Sequence, residues 1–434
     1  VTSNSYRRAC LLIDVRVDAI RVNNEKFVLR SLPRDRAARP ALVLAGFVLL
    51  VFCTGTAEYL VAGMLPLFAV DLSVDIATAG QTVTAYALGV AIGGPIITAL
   101  TARLPRKGLA LGLAVVFIAG TTLTVIAPAF GWVIIGRVVS ACSQATLFAI
   151  GLITATKAMG PAKSGQAVAI VTSGLTLATV LGVPLGVLLG GGTNWRLPFV
   201  VIAAIALIGL LLLAWAMPRT PAPTTGIVDE IRALLRRPVL LAVSTTVVGF
   251  AGVGIVFTYL VPLLTDVTGI VAGAIPVLLM AYGIGGVVGN LVAGRLADRA
   301  LGRTLAGVFI ALIITLSVFP LAAEIPTAMV ALVVMLGLLS TATIAPLQSL
   351  VMRHAAAAPS LALAVNVGAF NLANAIGAAL GGVAVATGMM RWGGFAGAGF
   401  AVLGLILSAV AVRIPTQTAR AKNSITRGTA EARS

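Results

Sequence analysis

Ala85-Tyr86-Ala87-Leu88-Gly89-Val90-Ala91-Ile92-Gly93 returns 196 positions later as Ala281-Tyr282-Gly283-Ile284-Gly285-Gly286-Val287-Val288-Gly289. The register holds outward from there. Pro66 aligns with Pro262, Leu67 with Leu263, Leu100 with Leu296, Arg103 with Arg299, Leu109 with Leu305 and Ala110 with Ala306. Chance matches between low-complexity helices would not also align prolines and arginines. A gapless offset through an apolar run, a basic loop and the next run marks two parallel repeats.

Composition places those repeats in lipid. Of 434 residues 59% are hydrophobic and 10% charged, against roughly 25% charged in soluble chains. The 47 glycines and 20 prolines suit membrane helices, where small residues permit close packing. The net charge of +17 sits in short clusters between apolar runs, with no aromatic-interleaved basic face, so no nucleic-acid partner is expected. Cys10, Cys53 and Cys142 form neither a disulfide framework nor a metal spacing.

Twelve apolar runs follow a polar segment, at about 41–66, 78–102, 108–128, 131–157, 165–190, 197–217, 239–265, 272–298, 304–323, 326–351, 360–388 and 392–413. Each approaches the ~20 residues that a hydrocarbon crossing needs. Residues 1–40 read as a cytoplasmic tail, or as sequence upstream of the true start. Residues 41–217 form one six-helix half, 218–238 a cytoplasmic linker, 239–413 the second half and 414–434 a second cytoplasmic tail. One set of loops carries Arg103, Arg106, Lys107, Lys157, Lys163, the linker, Arg299, Arg303 and Arg353. The other carries Arg196 and Arg391 beside Asp71, Asp75, Asp266 and Glu324. Basic loops stay inside, so both termini are expected to be cytoplasmic and the acid-bearing end outer. The expected fold is an all-α, polytopic membrane protein of two six-helix repeats. Its partners are the bilayer and a small organic substrate, and a monomer with no obligate protein partner is expected.

Within the first run lies one carboxylate, Glu58. An acid at the centre of a crossing helix costs ~2.5 kcal/mol or more, which suggests a use. Glu58 stands eight residues before Pro66, about 12 Å below the outer boundary, and Arg137 stands about 9 Å down the fourth run. Burial disfavours an ionised carboxyl and a nearby cation favours it. An arginine that approaches Glu58 in one conformation would therefore release a proton taken up in the other. A static ion pair locking two helices is the alternative. Parallel six-helix repeats hold substrate between the halves and alternate access by rocking.

The motifs resemble the major facilitator superfamily, and within it the twelve-span drug:proton antiporters. Gly294-Arg295-Leu296-Ala297-Asp298-Arg299-Ala300-Leu301-Gly302-Arg303 is similar to the family's cytoplasmic signature; the first repeat has Thr98 and Ala102 in place of its glycine and aspartate. Arg137-Val138-Val139-Ser140-Ala141 is placed like the family arginine motif. Gly174 to Gly186 looks like the antiporter motif, with Gly182-Val183-Pro184 in place of Gly-Pro. With Glu58-Tyr59 and Gly368 to Gly377, this is similar to the sugar- and chloramphenicol-efflux branch. The resemblance implies conformational roles for Gly174, Gly182, Pro184, Gly186, Gly294, Asp298, Arg299 and Arg303. Simple close packing and topology signalling are the alternatives.

Candidate path-lining residues are Tyr59, Gln81, Tyr86 and Gln144 in the first half, and Tyr259, Tyr282 and Asn290 in the second. Asn366, Phe370 and Asn374 share one stripe of the eleventh run. Each could instead hydrogen-bond a neighbouring helix. His354 reads as a solvated loop residue. No Gly-x-x-x-x-Gly-Lys-Ser/Thr loop is present to bind ATP, and no metal site or nucleophile–base pair is visible, so neither enzymatic activity nor a cofactor is expected beyond a proton gradient. The expected function is proton-coupled efflux of drugs or sugars across a bacterial cytoplasmic membrane. An uptake symporter or facilitator is the alternative. A receptor or membrane enzyme would need a soluble domain or a catalytic cluster.

Overall fold

A computed structural model describes residues 40–101, 103–160, 163–191, 194–219, 234–355 and 359–414. Residues 1–39, 220–233 of the linker and 415–434 lie outside the described residues. The described chain is helical, without strands. Among the described residues eleven helices are long and apolar enough to cross a membrane: α1 Pro40–Gly63, α2 Ile76–Thr101, α3 Arg106–Ile126, α4 Phe130–Met159, α5 Gln166–Gly190, α6 Arg196–Ala216, α7 Arg237–Thr258, α8 Ala272–Ala322, α9 Pro326–His354, α10 Leu361–Ala386 and α11 Met390–Arg413. The eighth and ninth apolar runs merge in α8. Its length far exceeds the ~30 Å of hydrocarbon, and Ala300 (φ −154°, ψ 70°) breaks it where the sequence suggested a loop.

Local chemistry sets the ends and bends. Asp75 caps α2, accepting the Thr78 N–H at 2.8 Å and the Thr78 hydroxyl at 2.7 Å, and these bonds hold its carboxyl below the usual range. α2 and α5 each widen into one π turn, Gly89–Gly93 and Ala178–Gly182. Each turn precedes a proline, Pro95 and Pro184. A proline removes one N–H and pushes off the carbonyl four residues back, and a π turn absorbs both effects.

In one half α1 packs on α5 and α6, and α3 on α4 and α6; in the other, α7 packs on α10 and α11, and α8 on the rest of its length against α9 and α11. The halves meet along two seams, α2 with α10 and α5 with α8. Small residues allow the approach: a Cβ at Gly283 of α8 would lie 2.6 Å from the Thr179 carbonyl of α5. Leu100, Leu211, Ile314 and Ile406 are among many large apolar side chains left exposed around the outside. Such a belt is stable only against lipid.

Two ion pairs occur among the described residues, Arg196–Asp71 and Arg391–Glu324. Both lie at the acid-bearing, outer end. The Trp195 indole N–H (2.9 Å) and Arg196 (2.5 Å) both donate to Asp71 and hold its carboxyl below the usual range. Trp195-Arg196 and Arg391-Trp392 are one repeat length apart, with the order of the two residues reversed.

The basic end departs from expectation. Asp298, Arg299 and Arg303 are exposed and form no ion pair among the described residues. The residues to which the resemblance gives a conformational role thus make no charge cluster with one another here, because the helix carries their side chains outward. His354 is buried rather than solvated: its Nε2 lies 3.2 Å from the Ala411 carbonyl of α11.

Candidate functional site

Glu58 and Arg137 are both buried in the first half, 6% and 1% exposed, yet they do not pair directly. The Arg137 guanidinium donates to the backbone carbonyls of Ala57 (2.5 Å), Glu58 (3.3 Å) and Thr82 (3.4 Å). The guanidinium uses the second lone pair that each helical carbonyl has free: Ala57 and Glu58 lie in the last α-helical turn of α1 before it tightens into a 3-10 turn at Val61–Gly63, and Thr82 lies in α2. The Arg137 Cζ sits 4.1 Å from the centroid of the Tyr86 ring. The static Glu58–Arg137 ion pair, the alternative reading of the sequence, is therefore not formed in this arrangement.

The carboxylate is held by other side chains. Gln144 Nε2 donates to Glu58 Oε2 at 2.6 Å, and Tyr86 donates its hydroxyl to Gln144 Oε1 at 2.6 Å. Tyr86 also reaches the Thr54 carbonyl at 3.2 Å. Tyr86 and Gln144, expected to line the path, thus form a rack for the carboxylate. Gln144 lies two turns along α4 from Arg137, on the same face. Glu58 Oε1 is buried and makes no aligned hydrogen bond, although the Tyr59 hydroxyl lies beside both Glu58 and Asn374.

A small cavity lies between the halves, lined by Glu58, Tyr59, Ala62, Val83, Ala87, Phe257, Thr258 and Asn374. It has room for one or two waters and is closed to a solute of drug size. Its outer wall is aromatic: Tyr59 meets Phe257 edge-on at 5.9 Å, and Phe257 meets Tyr282 at 4.8 Å. Phe257 and Thr258 were missed in the sequence because an apolar run full of such residues gives no sign of which face is turned inward.

The remaining candidates separate. Asn366 accepts from Thr246 of α7 at 2.9 Å, and Phe370 meets Phe250 of α7 edge-on at 5.0 Å. That stripe therefore packs on α7, and Asn374 alone of the three reaches the cavity. Tyr259 donates to the Ala378 carbonyl at 3.1 Å, and Tyr282 shares a bond with Ser340 at 3.0 Å. Gln81 is exposed on the same face of α2 as Leu88, Ile92 and Ile96, a lipid-facing stripe, and is withdrawn from the path. Asn290 is exposed two turns from Gly283. Gly174, Gly182 and Gly186 face α1: added Cβ atoms would meet the Val48 carbonyl at 2.7 Å, Thr56 Oγ1 at 2.1 Å and Leu60 Cδ1 at 2.5 Å. Gly294 faces Ala345 with room to spare, at 3.7 Å. No group of three His, Cys, Asp or Glu side chains gathers as metal ligands among the described residues.

Two packed helical halves around a buried carboxylate, with an apolar outer belt, define a polytopic membrane transporter. The Major Facilitator Superfamily model matches residues 47–359 and 273–434, and the chain belongs to that family. It is 38% identical to the uncharacterized MFS-type transporter YfhI of Bacillus subtilis (strain 168), over 86% of this chain and 95% of that protein. It is 34% identical to the inner membrane transport protein YdhP of Escherichia coli (strain K12), over 85% and 94%. Identity is again 34%, over 85% and 94%, with a chloramphenicol resistance protein of Streptomyces lividans. Two solved structures at 17% identity share the fold. One is a bacterial homolog of the human lysosomal transporter Spinster (TM-score 0.67, covering 86% of this chain and 97% of that one). The other is a D-xylose-proton symporter (TM-score 0.66, covering 87% and 97%). This is a multi-pass transport protein of a bacterial cell membrane, and not an enzyme.

Proposed function

We propose that this transporter exports small organic solutes, drugs of the chloramphenicol kind or sugars, in exchange for protons by alternating access. The observation that carries the reading is Glu58: a buried carboxylate at the inter-half cavity, one oxygen held and the other without an aligned bond. A carboxyl so placed exchanges a proton when the cavity opens to one side and then the other. A proton gradient supplies the energy and no cofactor takes part. The proposed topology has twelve crossings, with α8 bent at Ala300 into two, both termini cytoplasmic, and a monomer as the working unit. Likeness to the chloramphenicol resistance protein supports efflux over uptake.

Everted vesicles carrying a pH dye test this. Substrate is expected to release protons in wild-type vesicles, and Glu58→Gln to abolish the release. Undiminished gradient-driven export by Glu58→Gln overturns the proton role. A resistance panel with the overexpressed protein identifies the substrate, and reduced accumulation on deletion would point to uptake instead.

A further inference from the structure

The bonds around Glu58 form a chain that has two satisfied arrangements. A glutamine amide has one end that donates and one that accepts. In the arrangement seen, the Gln144 NH2 points at Glu58 Oε2 and its oxygen accepts from Tyr86. This suits an ionised carboxylate. A proton on Oε1 would leave this bond in place and have no aligned side chain to receive it. A proton on Oε2 would face an NH2 group that cannot accept it, and gains an acceptor when the amide turns over, placing its oxygen at Glu58 and its nitrogen at Tyr86. The Tyr86 hydroxyl can no longer donate to Gln144 and needs another acceptor, and the Thr54 carbonyl is already 3.2 Å away. Tyr86 and Gln144 are 1% and 6% exposed and neither lines the cavity, so its water does not fill in for a partner that either of them loses, and a buried group left unpaired is costly.

We infer that the proton is taken up at Oε2 and that Gln144 and Tyr86 are positioning residues that read it: uptake there inverts the Gln144 amide and moves the Tyr86 hydroxyl from Gln144 to the Thr54 carbonyl. The inference rests on the proposed proton exchange at Glu58. It carries the signal into the α1 backbone, because the Thr54 carbonyl is, by helical repeat, the acceptor of the N–H of Glu58 itself. The titratable and charged groups around this chain are Arg137 and Cys142 of α4, Cys53 and Tyr59 of α1 and Tyr282 of α8. Arg137 is the cation among them, and three backbone carbonyls anchor it whichever way the amide points.

Difference infrared spectroscopy of the purified full chain in nanodiscs tests the inference, with no substrate needed. The carbonyl band of protonated Glu58 is assigned by its loss in Glu58→Gln, and its titration midpoint is read. Gln144→Leu deletes a charge-assisted bond to the ionised form, which is stronger than the neutral bond it deletes from the protonated form. The midpoint is expected to move to higher pH, with proton affinity raised about tenfold. Tyr86→Phe is expected to shift it the same way by less, and to add nothing in a Gln144→Leu background, since its influence passes through the amide. Where Gln144→Leu fails to fold, Gln144→Met keeps length and volume without the amide. Unchanged midpoints in the Gln144 and Tyr86 variants, or additive shifts in the double variant, overturn the inference and leave proton exchange at Glu58 standing. If no band at any pH disappears in Glu58→Gln, the proton reading falls and the inference with it.

Discussion

Closure at the outer end depends on a contact that a single methyl group would prevent. Gly80 of α2 lies beneath the Tyr259 ring at the outer end of α7, and an added Cβ there would stand 2.0 Å from the Tyr259 hydroxyl oxygen and 2.6 Å from Cζ. Ordinary contact is no closer than 3.4 Å, so the overlap exceeds an ångström. The ring has little room to retreat, since α10 lies close to it: a Cβ added at Gly381 or Gly382 would stand 2.8 Å from its atoms. Overpacking of this kind costs about 1–3 kcal/mol. In a two-state equilibrium that is roughly 5–150-fold, spent against the arrangement in which the halves touch. Gly80→Ala is therefore expected to hold the outer end open for longer. The assay is labelling of an Ala62→Cys reporter, in a background without native cysteines, by a membrane-impermeant thiol reagent added outside. Ala62 lines the cavity and is 3% exposed, so its labelling rate follows outer opening. Gly80→Ala is expected to raise the rate at least fivefold. Adding Tyr259→Phe, which removes the hydroxyl but leaves the ring carbon too close, reverses part of the rise, and Tyr259→Leu reverses most of it. An unchanged rate in Gly80→Ala, or a rise that Tyr259→Leu leaves intact, refutes the steric argument.

Three further outcomes are expected. Because bonds from Trp195 and Arg196 lower the Asp71 carboxyl, its contribution to stability is complete above about pH 4, the unfolded value, and fades as pH falls through the lower folded value. Asp71 is largely exposed and solvent screens the pair, so the melting temperature of Asp71→Asn is expected to lie less than about 2 °C below wild type at neutral pH. The gap should close in acid; a gap that widens there contradicts the assignment. Gln81→Leu is expected to leave export unchanged, since Gln81 faces lipid. Asn374→Leu is expected to raise the half-saturating substrate concentration about fivefold, the equivalent of one hydrogen bond of ~1 kcal/mol. Equal effects of the two substitutions on a dose–response curve would reverse their placement.

Two properties of the chain were decided by sequence alone. Apolar runs of crossing length force helices, because backbone N–H and C=O groups find no partner in lipid but one another. The offset that carries Ala85-Tyr86 onto Ala281-Tyr282 makes those helices two parallel sets. Glu58 could be singled out for the same reason: a carboxylate in hydrocarbon is conspicuous whatever surrounds it. Its partner was not legible. Opposite charges at matching depth suggested Arg137, but depth along a helix says nothing of rotation about its axis, nor of the backbone carbonyls that compete for a guanidinium. Those carbonyls claimed the arginine, and the carboxylate went to Gln144. The same blindness to rotation put Gln81 on the path when it faces lipid, and Asn366 and Phe370 there when they pack on α7. Sequence determines that a helix must bury or expose its faces. Only the packed bundle decides which neighbour each face meets, because that choice is made by close contacts between residues far apart in the chain.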